Sequence, residues 1–248
     1  MRLLAIDTSS ASTVVVAADG DRIAARRHDP EPPARPEHTS LGLVLAAEVL
    51  AELSLSWGDV DRVGVGVGPG SFTGLRSGLS AAAGLARRLD VPLVAVTAHA
   101  MLDHAVRAAH GDDQRVLTVV DGRRKELFVA RQESASPDPG DSSLIEVVAR
   151  GAVGQLGSLA GWVAVGDGAL LERAALEAAG ACVPHEADAQ HQFQAASLAA
   201  LTRRGQPQLA DAVRPAYGRR PDAVPTAQRE AAARAATLAA GPSAGDAR

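Results

Sequence analysis

Short apolar runs broken by turn residues dominate the first third of the chain. Leu3 to Ile6 is apolar throughout and stops at Asp7-Thr8-Ser9-Ser10, the pattern of a buried strand. Thr13 to Ala17 is β-branched and predicts a second strand. Asp19-Gly20 is a hairpin turn signal, and Arg22 to Arg26 is the returning third strand. Asp29 to Pro36 holds four prolines and reads as a loop. Thr39 or Ser40 can cap a helix that runs to about Leu53. Trp57 to Asp61 connects it to Arg62–Val67, where Val and Gly alternate. That alternation predicts a buried strand approached closely by another backbone. Gly68 to Ser71 is a loop, Thr73 to Leu89 a helix, Leu93 to Val96 a strand, and Ala98 to Ala109 a helix.

The second half repeats this vocabulary less crisply. Val116–Val120 and Leu127–Arg131 read as strands flanking Asp121-Gly122-Arg123-Arg124-Lys125-Glu126. A polar loop, Ser134 to Asp141, precedes a strand at Leu144–Ala149. Trp162–Val165 is a strand that leads into Gly166-Asp167-Gly168. Leu170–Ala179 and Phe193–Arg204 are helical. Strands alternating with helices predict mixed sheets covered by helices. The element order suggests two ribonuclease-H-like lobes, residues 1–110 and 111–226, without a clean internal repeat. An Ala-rich tail, 227–248, reads as a marginal helix with a frayed end.

Composition agrees with this picture. Of 248 residues 46% are hydrophobic and 22% charged, which excludes a disordered chain. Aromatics are 2%, so Val, Leu, Ile and Ala must build the core. Lys and Arg total 25 against 29 Asp and Glu, for a net charge of −4. A protein that grips nucleic acid unaided usually shows basic excess, and none appears here. The single cysteine, Cys182, makes no intramolecular disulfide and reads as a small buried hydrophobe. The apolar N-terminal run is too short for a signal peptide, and no stretch approaches the roughly 20 apolar residues of a membrane helix. The expected location is the cytoplasm.

Candidate chemistry is sparse. Asp7 and Thr8 at a strand end can hold a metal-bound phosphate, or can satisfy a turn. Gly166 and Gly168 can admit a ligand to the backbone, or form an ordinary strand-to-helix turn. Gly68-Pro69-Gly70-Ser71-Phe72-Thr73-Gly74 looks like a phosphate loop, but it lacks the Gly-Lys-Ser/Thr ending. It is not a Gly-x-Ser-x-Gly nucleophile elbow either. No pair among the seven histidines has metal-ligand spacing, so no metal is expected.

Two helices are unusual. Leu41 to Leu53 is apolar nearly all round, relieved by Glu48 and Glu52, the pattern of a helix buried on every side. In the next helix Gly74, Gly78, Ala82 and Ala86 recur every fourth residue. An interior Gly costs up to about 1 kcal/mol against Ala, so two of them predict close approach on that face. Either a partner subunit or the chain's own second half covers these faces.

Ile6-Asp7-Thr8-Ser9, Glu37-His38-Thr39-Ser40, Gly68 through Arg76, Asp121 with Arg123 and Glu126, and Arg214-Pro215 with Tyr217 and Arg219 follow one another in this order. In this the chain resembles the bacterial TsaB (YeaZ) family across about residues 1–222. The segment Gly68–Arg76 is the most specific of these matches. Gly122 and Lys125 stand where the family more often has Ala and Gly. Phe128 replaces a frequent tyrosine, and Gly218 a leucine.

The resemblance implies the sugar kinase, Hsp70 and actin (ASKHA) fold of two ribonuclease-H-like lobes. It implies a non-catalytic dimerization subunit in the synthesis of tRNA threonylcarbamoyladenosine beside the anticodon. His38 matches the family's one histidine, and Gly42 stands where the second of a metal-binding pair would be. The implied partners are a TsaD-like catalytic subunit, docked through the first two helices, and a TsaE-like ATPase. Transfer RNA is met only through the complex, and a homodimer can form when the chain is alone. The expected contact residues are Leu41, Val44, Leu45, Glu48, Gly74, Leu75, Gly78 and Ala82. No cofactor is expected beyond weak nucleotide contact at Asp7, Thr8, Gly166 and Gly168. The rival reading is an independent ATP-dependent kinase or ATPase built on the same residues.

Overall fold

The computed structural model describes residues 1–30, 38–136 and 138–216, with only the backbone at 38–40. The proline-rich residues 31–37, Tyr217, Gly218 and Arg219, and the Ala-rich tail lie outside the described residues, as do the side chains of His38 and of the expected caps Thr39 and Ser40.

Strands β1 (Arg2–Asp7), β2 (Thr13–Asp19) and β3 (Arg22–His28) form an antiparallel meander. Helix α1 (His38–Glu52) crosses to β4 (Arg62–Gly68), and helix α2 (Phe72–Leu89) crosses to β5 (Leu93–Thr97). Both crossovers return parallel, which gives the order β3-β2-β1-β4-β5. Alternation then sorts the side chains. Leu4, Ile6, Val15, Ala17, Val63 and Val65 form one core with Leu45, Val49 and Leu50 of α1 and Ala82 and Ala86 of α2. Leu3, Ala5, Val14, Val16, Val94 and Val96 face the other way. They pack on Ala100 and Met101 of α3 (Ala98–His110) and on Leu198 and Leu201 of α6 (Ala195–Arg204). Both faces are covered, so the strands read as unbroken apolar runs.

The second sheet follows the same plan on a smaller scale. β6 (Arg115–Asp121) and β7 (Glu126–Gln132) pair antiparallel, β8 (Glu146–Ala149) is the edge, and β9 (Trp162–Val165) lies parallel to β6. The order β8-β7-β6-β9 matches β3-β2-β1-β4 strand for strand and sense for sense. The chain thus holds two sheets of one plan within one compact unit, and α6, from the stretch after residue 110, packs on the first sheet. The short helices α4 (Asp167–Leu171) and α5 (Arg173–Ala178) cover one face of this sheet. The continuous helix expected over Leu170–Ala179 is broken between them at Glu172, and α6 starts two residues later than expected. Helix α3 serves both sheets: Ala98, Leu102 and Val106 pack on Val116 and Val120 of β6, opposite its contacts with the first sheet.

Cys182 corrects its expectation, since it is exposed. It sits in an isolated bridge beside β9, an edge position with one uncovered side. Among the described residues no helix is long and apolar enough to cross a membrane.

Candidate functional site

The small-residue stripe of α2 faces the chain's own first sheet. Thr8 Oγ1 donates to the Gly74 carbonyl at 2.7 Å. A methyl on Gly78 would lie 2.2 Å from the same Oγ1. Gly74, Leu75, Gly78, Ala82 and Ala86 are all buried. The close approach expected of this face is real, but at Gly74 and Gly78 it is made to Thr8, just past β1. Leu45 is also core, and Leu41 packs against it. These residues support the helical layer from below.

What remains outward is a different set. Leu43 is 39% exposed and Val44 56%. Ala47, Glu48, Ala51 and Glu52 share their face. Arg26 of β3 pairs with Glu48 at 3.3 Å and Glu52 at 2.8 Å, fixing one margin of that face. So α1 is not buried on every side. Its apolar outer face is simply uncovered, and Val44 and Glu48 are the expected contact residues that lie on it. On α2, Phe72 is 55% exposed and Arg76 stacks over its ring at 4.0 Å.

The second candidate is a cleft of about 230 Å³ at the carboxyl ends of the two sheets. Ser9, Ser12, Arg27 and Gly70 line it from the first sheet, and Asp121, Arg123, Asp167 and His191 from the second. The matching strand plan places Asp7, the last residue of β1, opposite Asp121, the last of β6. Their surroundings differ. Asp7 is fully buried and accepts from Ser9 N at 3.1 Å and Ser9 Oγ at 2.9 Å. Burial pushes its carboxyl up to about 6, while the Ser9 bonds and the Arg27 charge pull the other way. Asp121 accepts from Arg150 Nη2 at 2.6 Å and Arg123 N at 2.9 Å.

Gly66 and Gly70 explain why glycines cluster here. A methyl on Gly66 would collide with the Asp7 carboxylate, and one on Gly70 would lie 2.1 Å from the Ser9 carbonyl oxygen. The close neighbours of β4 are therefore side chains, Asp7 at Gly66 and Thr202 at Gly64, and not the backbone that the Val/Gly alternation suggested. Ser71 caps α2 by accepting from Gly74 N at 3.3 Å. At the other sheet Gly166 has φ +109°, and a methyl there would meet the Val119 carbonyl oxygen at 2.2 Å; one on Gly168 would meet the Val119 side chain. These glycines make room for β6. Asp167 accepts from Asp121 N and Gly168 N, each at 2.8 Å, and burial raises its pKa.

Sequence reading missed Arg27 and His191. Arg27 donates to Ser12 Oγ at 2.7 Å and pairs with Asp29 at 2.9 Å. His191 contacts Gly166 through Nδ1 and the Pro184 carbonyl through Nε2 at 3.0 Å. Nothing in their local sequence marks them, because only the pairing of distant segments brings them to the cleft. Among the described residues no three His, Cys, Asp or Glu side chains gather as a metal site would require.

Comparison with known proteins adds a lineage. A family model described as TsaD, tRNA N6-adenosine threonylcarbamoyltransferase, matches residues 30–141. The tRNA threonylcarbamoyladenosine biosynthesis protein TsaB of Escherichia coli K12 is 33% identical over 134 residues, 54% of this chain and 55% of that protein. The Haemophilus influenzae protein of the same description is 33% identical over 132 residues, 53% of each. The chain thus spans about half the length of the curated TsaB relatives it matches. YeaZ from Pseudomonas aeruginosa superposes with TM-score 0.70 at 23% identity, over 87% of this chain and 99% of that one.

The two mixed sheets and this neighbour define an α/β protein with the fold of YeaZ. Both resemblances, of sequence and of fold, point the same way within that class. The chain is similar to TsaB proteins in sequence over about half its length and to YeaZ in fold over most of it.

Proposed function

We propose that the chain is a non-catalytic subunit required for tRNA N6-threonylcarbamoyladenosine modification. In this reading it pairs with a TsaD-like catalytic subunit and supports transfer of threonylcarbamoyl from its adenylate to a tRNA adenosine next to the anticodon. The observation that carries it is the outer face of α1. A helix with one face in a core ordinarily turns polar residues to water. Here Leu43 and Val44 are exposed, flanked by Ala47 and Ala51. Such a face gains free energy when another surface covers it.

The TsaD model matches the stretch that contains both α1 and α2. A partner built on the same plan would present a similar helix pair, and like faces pack by approximate two-fold symmetry. Two copies of this chain would pair through the same face when the partner is absent. A TsaE-like ATPase would join the pair, and tRNA would be met in the complex, in the cytoplasm. The cleft supports the non-catalytic part. Asp7, Asp121 and His191 direct their polar atoms to the protein's own groups, and Asp167 Oδ1 accepts from two backbone amides. A general base needs a free lone pair within reach of substrate.

Mixing the purified chain with its TsaD-like subunit and sizing the mixture tests the pairing; two separate peaks at micromolar concentration would sink it. Transfer from the adenylate should require both subunits. Turnover of ATP and magnesium by the chain alone would favour the kinase reading instead.

A further inference from the structure

The tip of the β6–β7 hairpin is built in an unfavourable backbone conformation. Arg123, Arg124 and Lys125 have φ of +59°, +48° and +66°. Three successive side-chain-bearing residues in the left-handed region are rare, because each crowds its Cβ against the chain. Such strain persists where the surrounding structure enforces it, and it concentrates at functional sites. The enforcement is visible. Gly122 N donates to the Glu126 carbonyl and Glu126 N to the Arg123 carbonyl, each at 2.9 Å. From the neighbouring strand end, Arg150 N donates to the Lys125 carbonyl at 2.9 Å, and its guanidinium binds Asp121.

This scaffold sorts charge by depth. The Asp121 side chain is 6% exposed and lies 2.6 Å from Arg150, whereas Arg123, 3.6 Å from its other oxygen, keeps its side chain 76% exposed. Arg124 and Lys125 are exposed as well. The four cations Arg123, Arg124, Lys125 and Arg150 outnumber the three neighbouring carboxylates, Glu126 and the deeper Asp121 and Asp167, and so present a net positive surface on a chain of net charge −4. The tip adjoins the mouth of the cleft through Arg123 and belongs to the second sheet, whereas α1 and α2 cover the first.

The geometry points to this hairpin as a contact for the phosphate backbone of the tRNA substrate. The inference rests on the proposed function. Clustered cations supply sequence-independent affinity by releasing counterions from phosphates. Holding them on an enforced turn lowers the ordering cost of each contact. Lys125 is a cation where glycine would relieve the backbone, so the position gives up conformational ease for charge.

The test uses the complex of the full chain with its TsaD-like partner and unmodified tRNA. The triple variant Arg123→Gln, Arg124→Gln, Lys125→Gln should leave the size of the complex unchanged. It should weaken tRNA binding roughly tenfold near 0.1 M salt and flatten the log–log salt slope by about 2. Lys125→Gly should raise Tm, by relieving the turn, while still weakening tRNA binding; this keeps the idea testable if the triple variant folds poorly. Unchanged tRNA affinity and salt slope in an intact complex would overturn the inference. So would a loss of ADP binding with tRNA binding untouched, which would assign the cations to a small nucleotide. A complex that never forms, or never modifies tRNA with wild-type protein, strikes the functional reading instead.

Discussion

The Asp7 carboxylate occupies the space where a side chain on Gly66 would have to go: a methyl built there lies 1.6 Å from Asp7 Oδ2. One strand carries the acid and its parallel neighbour lacks the side chain that would displace it. Gly66→Ala should destabilise the fold by about 1–3 kcal/mol or more, because a buried, hydrogen-bonded carboxylate cannot step aside. Asp7→Ala in the same molecule should recover much of that loss. A double-mutant cycle by denaturant titration would show the coupling, and additive effects would place the strain elsewhere.

Asp7 also predicts a pH dependence. Its folded pKa, about 6, lies above the usual carboxylate value of 3.8. The folded state thus takes up the proton first as pH falls, and the stability this gives is lost as pH rises through 6. Asp7→Asn should therefore be more stable than wild type at pH 7.5, by up to about 3 kcal/mol. The difference should shrink below pH 6 and close near pH 4. Melting temperatures of both proteins across pH 4–8 read this directly.

His99 works in the opposite sense. Its Nδ1 lies 2.6 Å from Thr118 Oγ1, which donates onward to the Ala130 carbonyl and so accepts the Nδ1 proton. Its Nε2 is buried with no partner, and burial pushes the ring pKa down to about 3. The unfolded chain protonates near 6.5 and the folded chain does not, so stability should fall as pH drops from 6.5 toward 3. His99→Gln should flatten that acid limb; an unchanged limb would assign it to other groups.

Gly78→Leu is expected to lower Tm, not to weaken partner pairing in a protein that stays folded. The added side chain would meet Thr8 Oγ1, already committed to the Gly74 carbonyl. Gly78→Ala is the gentler form, costing about 1–3 kcal/mol of packing against about 1 kcal/mol gained in helix propensity. Adding Thr8→Ala should restore stability.

Adjacent residues of α1 should separate folding from docking. Val44→Arg sits on the outer face, so stability should hold within about 0.5 kcal/mol, while affinity for the TsaD-like subunit falls at least tenfold. Leu45→Ala should cost about 2–5 kcal/mol of stability, because Leu45 is buried in the core under α1. Equal effects on affinity per unit of folded protein would argue against the outer face as the docking surface.

Much of the fold was legible along the chain. Leu3–Ile6, Thr13–Ala17 and Val116–Val120 are unbroken apolar or β-branched runs, and each lies within an observed strand. Asp19-Gly20 announced the first hairpin. These signals are local, since period, cap and turn each act within a few residues. The site was less legible. Gly74 and Gly78 correctly implied a close neighbour, but spacing along one helix cannot tell a partner's helix from the chain's own Thr8.

The sequence by itself determined the strand and helix order, the absence of basic excess, the family resemblance and the existence of two helices with unusual faces. Only the tertiary structure decided which face of each helix is spent. Burial is a property of what packs across from a residue, often more than 50 positions away. Crossovers of α1 and α2 onto the same side of the first sheet turned Leu45, Leu75 and Gly78 inward and left Leu43 and Val44 in water. The same pairing of distant segments buried Asp7 under Gly66, carried Arg27 and His191 to the cleft, and folded three consecutive cations into an exposed, enforced turn.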